Sequence, residues 1–175
     1  MQWYYWYGYE STTQDALLYY TTLPGVTASV ANEIRNRKQS SMNGSEFLGA
    51  FTNKTDAYRA FLKDEDYVWG NNQTKAHIGI IFRQQLVYGL DPINASNYRA
   101  AAGGYLHYFH GVNPLSMTFL TNMYAHGGDN CANEIYHSWF GDGTSWDSAI
   151  VSPFKGPPPA YIPGGANPHW QPDPA

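Results

Sequence analysis

Apolar residues return every three or four positions through most of the chain up to Gly111, and polar breaks between those runs predict separate helices. Ser11 and Gln14 have the spacing of a capping box, and Ala16, Leu17, Tyr20 and Leu23 follow at helical intervals until Pro24-Gly25 stops the run. A second helix is predicted from about Thr27 to Lys38. It places Val30, Ala31 and Ile34 on one side and Arg35, Arg37 and Lys38 near its end, where cations suit the helix dipole. Ser40 to Ser45, with Asn43-Gly44, reads as a loop. Thr55 is placed to cap a short helix in which Ala57 and Phe61, and Tyr58 and Leu62, form pairs four residues apart.

Gln73 to Tyr88 keeps Ile78, Ile81, Phe82 and Leu86 at helical spacing before Gly89-Leu90-Asp91-Pro92 ends it. Ser96 is placed to cap a further helix carrying Ala101, Ala102, Tyr105, Leu106 and Phe109 up to Gly111. Gly103-Gly104 inside that helix costs about 1 kcal/mol per glycine against alanine, which points to close packing against a neighbour. After Asn113-Pro114 the periodicity fades, and eight of the eleven prolines fall between Pro153 and Pro174. The expectation is an all-α chain, residues 1–112 mainly helical and 113–175 mainly loops, forming a single domain whose loops carry the function.

Composition sharpens this picture. Aromatic residues make up 17% of the 175 residues while charged ones make up 14%, against about a quarter in ordinary soluble domains. Ten Lys plus Arg against fourteen Asp plus Glu leave a net charge of −4, which argues against nucleic acid and against anionic membranes. One cysteine, Cys131, excludes an internal disulfide and any zinc module that needs two. No run has the length of a membrane span. Met1 to Tyr9 lacks the order of a signal peptide, and the aromatic run Trp3 to Tyr7 reads as an internal segment behind an added start.

Six tryptophans, Trp3, Trp6, Trp69, Trp139, Trp146 and Trp170, lie outside helical core positions, several beside Gly, Asn or Asp. A sugar ring offers C–H bonds on its face and hydroxyls on its rim, so an indole face bordered by amides makes a matched site. Trp69-Gly70-Asn71-Asn72-Gln73 has that composition. Taken singly, each tryptophan also reads as a plug where helices meet loops; their number favours a glycan cleft. Glu134-x-x-His137, with His126, Asp129 and Cys131 nearby, has the spacing of two ligands on one helix face, but it lacks the second such motif that metal bundles use. No metal or other cofactor is therefore assigned. His107 and His110 suit a helix end, and Asp64-Glu65-Asp66 suits a solvated turn. Asn-x-Ser/Thr triplets begin at Asn43, Asn53, Asn72 and Asn94.

Four blocks together resemble the later part of glycoside hydrolase family 9, the inverting cellulases. They are Tyr67-Val68-Trp69-Gly70-Asn71-Asn72; Tyr98 to Asn113-Pro114-Leu115-Ser116; Asn133-Glu134-Ile135-Tyr136-His137-Ser138-Trp139; and Gly156 through Tyr161-Ile162-Pro163-Gly164-Gly165-Ala166-Asn167-Pro168. The last is the most specific. Trp6 to Leu23 fits more loosely, as an earlier substrate-facing helix start. The resemblance implies an (α/α)6 barrel, of which this chain would hold roughly the later half, and cleavage of β-1,4-glucan with inversion in an extracellular parent protein. Trp6 and Trp69 would be stacking platforms and His137 a hydroxyl-binding residue. Trp139 and Gln73 stand where the family often has arginines.

An inverting hydrolase needs an acid for the leaving oxygen and a carboxylate base to activate water. The family takes its base from an Asp-x-x-Asp block and its acid from a Glu beyond the Gly-Gly-Pro-Asn loop. No Asp-x-x-Asp occurs here, and no such Glu helix follows before Ala175. The expectation is the floor of a cleft without its acid and base, so that no catalytic residue is assigned. The other reading is a non-catalytic glucan-binding or self-assembling all-α module, its exposed helix faces joining copies.

Overall fold

The helical periodicity is realised in the computed structural model, which describes residues 11–68, 70–133 and 157–166. Among these lie the helices α1 (Ser11–Tyr20), α2 (Ala28–Ser41), α3 (Leu48–Thr52), α4 (Asn71–Val87) and α5 (Ala95–Phe109). Short 3-10 turns occur at Asp64–Asp66, Pro92–Asn94 and Tyr124–His126. The described residues are mostly helical, as an all-α class requires. The exception is a pair of short parallel strands, β1 (Thr118–Thr121) and β2 (Cys131–Ala132), in a region read as loop. They hold four and two residues, too few for the side-chain alternation that marks a strand in sequence. No helix among the described residues is long and apolar enough to cross a membrane.

The chain divides into two compact units, residues 1–63 with 74–105, and residues 64–73 with 106–175. In the first unit, Leu18, Ile34 and Leu90 form a buried cluster against which Leu17, Tyr20 and Tyr88 pack. The period of α1 is as predicted but its inward face is rotated: Gln14 and Leu18, four apart, are buried, while Ala16 and Leu23 are exposed. On α2, Ala31 and Ile34 turn inward as expected and Val30 does not. Arg35 on α2 donates to the carbonyls of Tyr88 (2.8 Å) and Gly89 (3.3 Å), supplying donors where α4 ends.

The helix predicted from Thr55 does not form. Tyr58 and Ala60 instead donate their backbone N–H groups to the Asp56 carboxylate at 3.0 and 2.8 Å, a local turn that competes with the helix. Arg59 then adopts a left-handed φ of 61°, with its guanidinium 3.9 Å from the centre of the Phe51 ring. Gly104 explains why the paired glycines are tolerated: a Cβ there would collide with the backbone of Arg59. The rest of this core is aromatic. Phe82 lies within 6.3 Å, centre to centre, of Phe47, Tyr98 and Tyr105, and the Tyr105 hydroxyl donates to the Phe61 carbonyl at 2.6 Å.

Two lysines are buried in the first unit. Lys38, expected near the end of α2 as a cation suited to the helix dipole, has no exposed surface and points its ammonium at the Gln14 side-chain oxygen, 3.5 Å away. Lys75 donates to the Ala60 carbonyl. Burial lowers both from 10.5 to about 8, against an opposing pull from Asp15 on Lys38 and Asp56 on Lys75. The unfolded chain holds these protons up to about pH 10.5, whereas the native lysines begin releasing them near pH 8, so their contribution to stability rises with pH across that window. Urea unfolding of the protein beside a Lys38→Met, Lys75→Met double variant should therefore show the wild type gaining on the variant between those two pH values. The gain should reach up to roughly 3 kcal/mol per lysine. A difference that stays constant with pH would contradict the burial.

Candidate functional site

The Pro157–Ala166 segment of the second unit is held by donors that lie far away in sequence. Its prolines at 157, 158, 159 and 163 carry carbonyls but no N–H groups, so the segment has more acceptors than donors and cannot satisfy itself. The first turn of α4 supplies part of what it lacks. Asn71 donates its amide to the carbonyls of Val68 (2.8 Å) and Ala166 (2.5 Å), and Asn72 donates its amide to Pro163 (3.1 Å). The backbone N–H of Asn72, one of the donors that a helix start leaves without an internal partner, reaches the Gly164 carbonyl at 3.0 Å. Both asparagines are completely buried, which also excludes Asn72 as a glycan acceptor.

The other end of the segment is held by β1. Thr121 donates its N–H to the Tyr161 carbonyl (2.8 Å) and its hydroxyl to the Pro158 carbonyl (2.6 Å). In return it accepts the Ala160 N–H on its backbone oxygen (2.8 Å) and the Tyr161 N–H on its Oγ1 (3.0 Å). Asn122 adds a bond from its amide to Pro157 at 3.2 Å. Ala160 sits at a φ of 70°, a left-handed conformation that costs a non-glycine residue about 1–2 kcal/mol. Gly165 has a φ of 105° and faces the two asparagines so closely that a Cβ would meet Asn72 Cγ and Oδ1 at 2.7 Å. The side-chain oxygens of Asn71 and Asn72 lie buried at this contact and receive no N–H or O–H donor from the described residues.

Asn113 organises the segment before β1. Its amide donates to the carbonyls of Tyr108 and Met117, each at 2.7 Å, and its side-chain oxygen accepts the N–H groups of Leu115 (3.1 Å) and Met117 (3.3 Å). All four of its hydrogen-bonding positions are filled, which accounts for asparagine in the Gly111-Val112-Asn113-Pro114 block. At the same helix end, the His110 ring nitrogen Nδ1 donates to the Leu106 carbonyl at 2.8 Å, the capping role expected for it.

A family model for glycosyl hydrolase family 9 matches residues 1–172 of the chain. The chain belongs to glycosyl hydrolase family 9. Comparisons with curated proteins and with solved structures find no match.

Two of the blocks that carry the family-9 resemblance thus meet physically: the start of α4 and the Pro157–Ala166 loop are bonded to one another within one unit. Of the expected sugar-contacting residues, Gln73 is exposed in the first turn of α4, its N–H bonded to the Gly70 carbonyl at 2.9 Å. Trp6, Trp69, His137 and Trp139 lie outside the described residues. Glu134 of the weighed metal motif does too. Cys131 is buried, with the Met123 N–H donating to its sulfur at 3.2 Å, and burial followed by this thiol raises the neighbouring Tyr124 phenol above its usual range. No group of three or more metal-binding side chains gathers among the described residues. Asp64, Glu65 and Asp66 are unburied, as a solvated turn requires.

In the first unit, the pocket lined by Phe47, Phe51, Asp56, Arg59, Phe61 and Tyr105 encloses about 10 Å³, room for one water at most and none for a sugar. Sequence reasoning passed over Asn71, Asn72 and Thr121 as anchors, since their loop partners lie 37 to 95 residues away. A Gly165→Ala variant should lose about 2–4 kcal/mol, from backbone strain together with the clash on Asn72. Thermal unfolding monitored by circular dichroism measures this, and an unchanged midpoint would show that the loop does not pack on the asparagines.

Proposed function

We propose that this chain supplies the substrate-binding part of a β-1,4-glucan hydrolase that works by inversion, built as roughly the later half of an (α/α)6 barrel and acting outside the cell. On this reading residues 1–175 are one partial catalytic domain, helical up to about residue 112 and loop-rich beyond it. Trp6 and Trp69 stack on glucose rings, His137 binds hydroxyls, and Gln73 and Trp139 also contact the glucan. The observation that most supports the reading is the fixed Pro157–Ala166 loop. It is bonded to Asn71 and Asn72, immediately after Trp69-Gly70, so that loop and platform segment share an anchor.

Chemistry is a separate matter from binding. The 175 residues contain no Asp-x-x-Asp block, and binding alone does not replace the stabilisation that an acid and a base give the transition state. The span therefore binds glucan and hydrolyses it weakly or not at all. Titration with cellohexaose should produce a saturable change in tryptophan fluorescence, and Trp69→Ala should weaken binding by about tenfold. Reducing-sugar release from carboxymethylcellulose should stay at the level of a mock purification. No fluorescence response would refute the binding reading, and release abolished by replacing an acidic residue of this chain would refute the absence of chemistry.

Self-association is a second reading, favoured by exposed apolar side chains on the first unit: Ile80 and Val87 share one face of α4, and Ile93 is 93% exposed. Light scattering at high concentration should then show a mass above 19.6 kDa that falls in an Ile80→Lys, Val87→Lys variant. A monomer at every concentration would remove this reading.

A further inference from the structure

Tyr161 combines two properties that folding alone does not require. The residue is 52% exposed, next to Ile162 at 45%, whereas its backbone is fixed on both sides: its N–H is bonded to Thr121 Oγ1 and its carbonyl accepts the Thr121 N–H. The residue before it, Ala160, is held in the left-handed region at φ 70°, and its N–H is bonded to the Thr121 carbonyl. Strained backbone persists only where the surroundings over-determine it, and such strain gathers at ligand-contacting positions. Here three Thr121 bonds fix the strained residue and the aromatic one together, and Pro159 and Pro163 stiffen the chain on either side.

The consequence is an exposed aromatic ring whose position is set before any ligand arrives. Such a ring gives up little freedom on binding, so more of its contact energy appears as affinity. Beyond Pro163 the loop continues as Gly164-Gly165, and Asn72 holds this stretch down through the Pro163 and Gly164 carbonyls. A β-linked glucose ring, apolar on both faces and hydroxylated around its edge, fits an exposed phenol ring flanked by an aliphatic side chain.

We infer that Tyr161 is an additional sugar-stacking residue, contributing its ring face to one glucose unit of a β-glucan chain, with Thr121 as the residue that positions it. The inference rests on the glucan-binding reading above and extends it to a residue in the proline-rich loop. Cellohexaose binding to the full 175-residue chain, measured by isothermal titration calorimetry for the wild type, Tyr161→Phe and Tyr161→Ala, tests it. Tyr161→Phe keeps the ring and should bind within about twofold of wild type. Tyr161→Ala should bind about three- to tenfold more weakly.

The ligand's own proton spectrum gives a second readout that a purely structural role would not move: upfield shifts of ring C–H protons in the complex, present with the wild type and Tyr161→Phe and reduced with Tyr161→Ala. If the wild type binds and Tyr161→Ala binds equally well, this inference fails and the glucan reading survives. Loss of binding in Tyr161→Phe as large as in Tyr161→Ala would overturn stacking in favour of a hydroxyl contact. A wild type that does not bind cellohexaose defeats the underlying reading and this inference with it.

Discussion

A proline-rich segment brings carbonyl groups into a fold without the N–H groups that would normally accompany them, and this imbalance governs the second unit. Pro157, Pro158 and Pro163 each present a carbonyl that receives a donor from a side chain elsewhere: Asn122, Thr121 and Asn72 respectively. Carboxamides and hydroxyls suit this task because they donate without adding charge to a buried site. The loop is irregular by any secondary-structure criterion yet is fixed at both ends, as a loop must be if it is to present side chains to a ligand.

The two units spend their polar residues differently. In the second, buried asparagines and Thr121 position backbone, and Tyr161 and Ile162 beside them are exposed. In the first, Lys38 and Lys75 are buried at a cost that the charges of Asp15 and Asp56 only partly offset. Asp91 belongs to the same class. Burial would raise its carboxyl, but hydrogen bonds from Asn94 and Tyr98, each 2.8 Å long, together hold it below its usual range. That network ties the Pro92–Asn94 turn to the start of α5, leaving Ile93 on the surface.

What was legible in the sequence follows from what is local. Helices α2, α4 and α5 run for 14, 17 and 15 residues, long enough for a repeating apolar face, and each emerged close to its observed bounds. Helix α3 has five residues and no full repeat, so it escaped notice. The helix expected at Thr55 failed because Asp56 captures two backbone N–H groups, a competition that pairing rules do not register. Of the site, the family blocks around Trp69 and Gly164-Gly165 were recognisable as patterns. That Asn71 and Asn72 bind one block to the other was not, because no periodicity connects residues more than ninety positions apart. Tyr161 was in view within its block, but its exposure on a backbone fixed by Thr121, a residue forty positions away, was not.

The claim on which this account turns is that the loop and the first turn of α4 behave as one hydrogen-bonded unit. Amide hydrogen exchange measures this directly at the backbone N–H groups of Asn72, Ala160 and Tyr161. The account predicts slow exchange at all three in the wild type, with Asn72→Ala accelerating Asn72 itself and the loop amides together. Fast exchange at Asn72 and Tyr161 in the wild-type chain, comparable to that of an unstructured peptide, would contradict it.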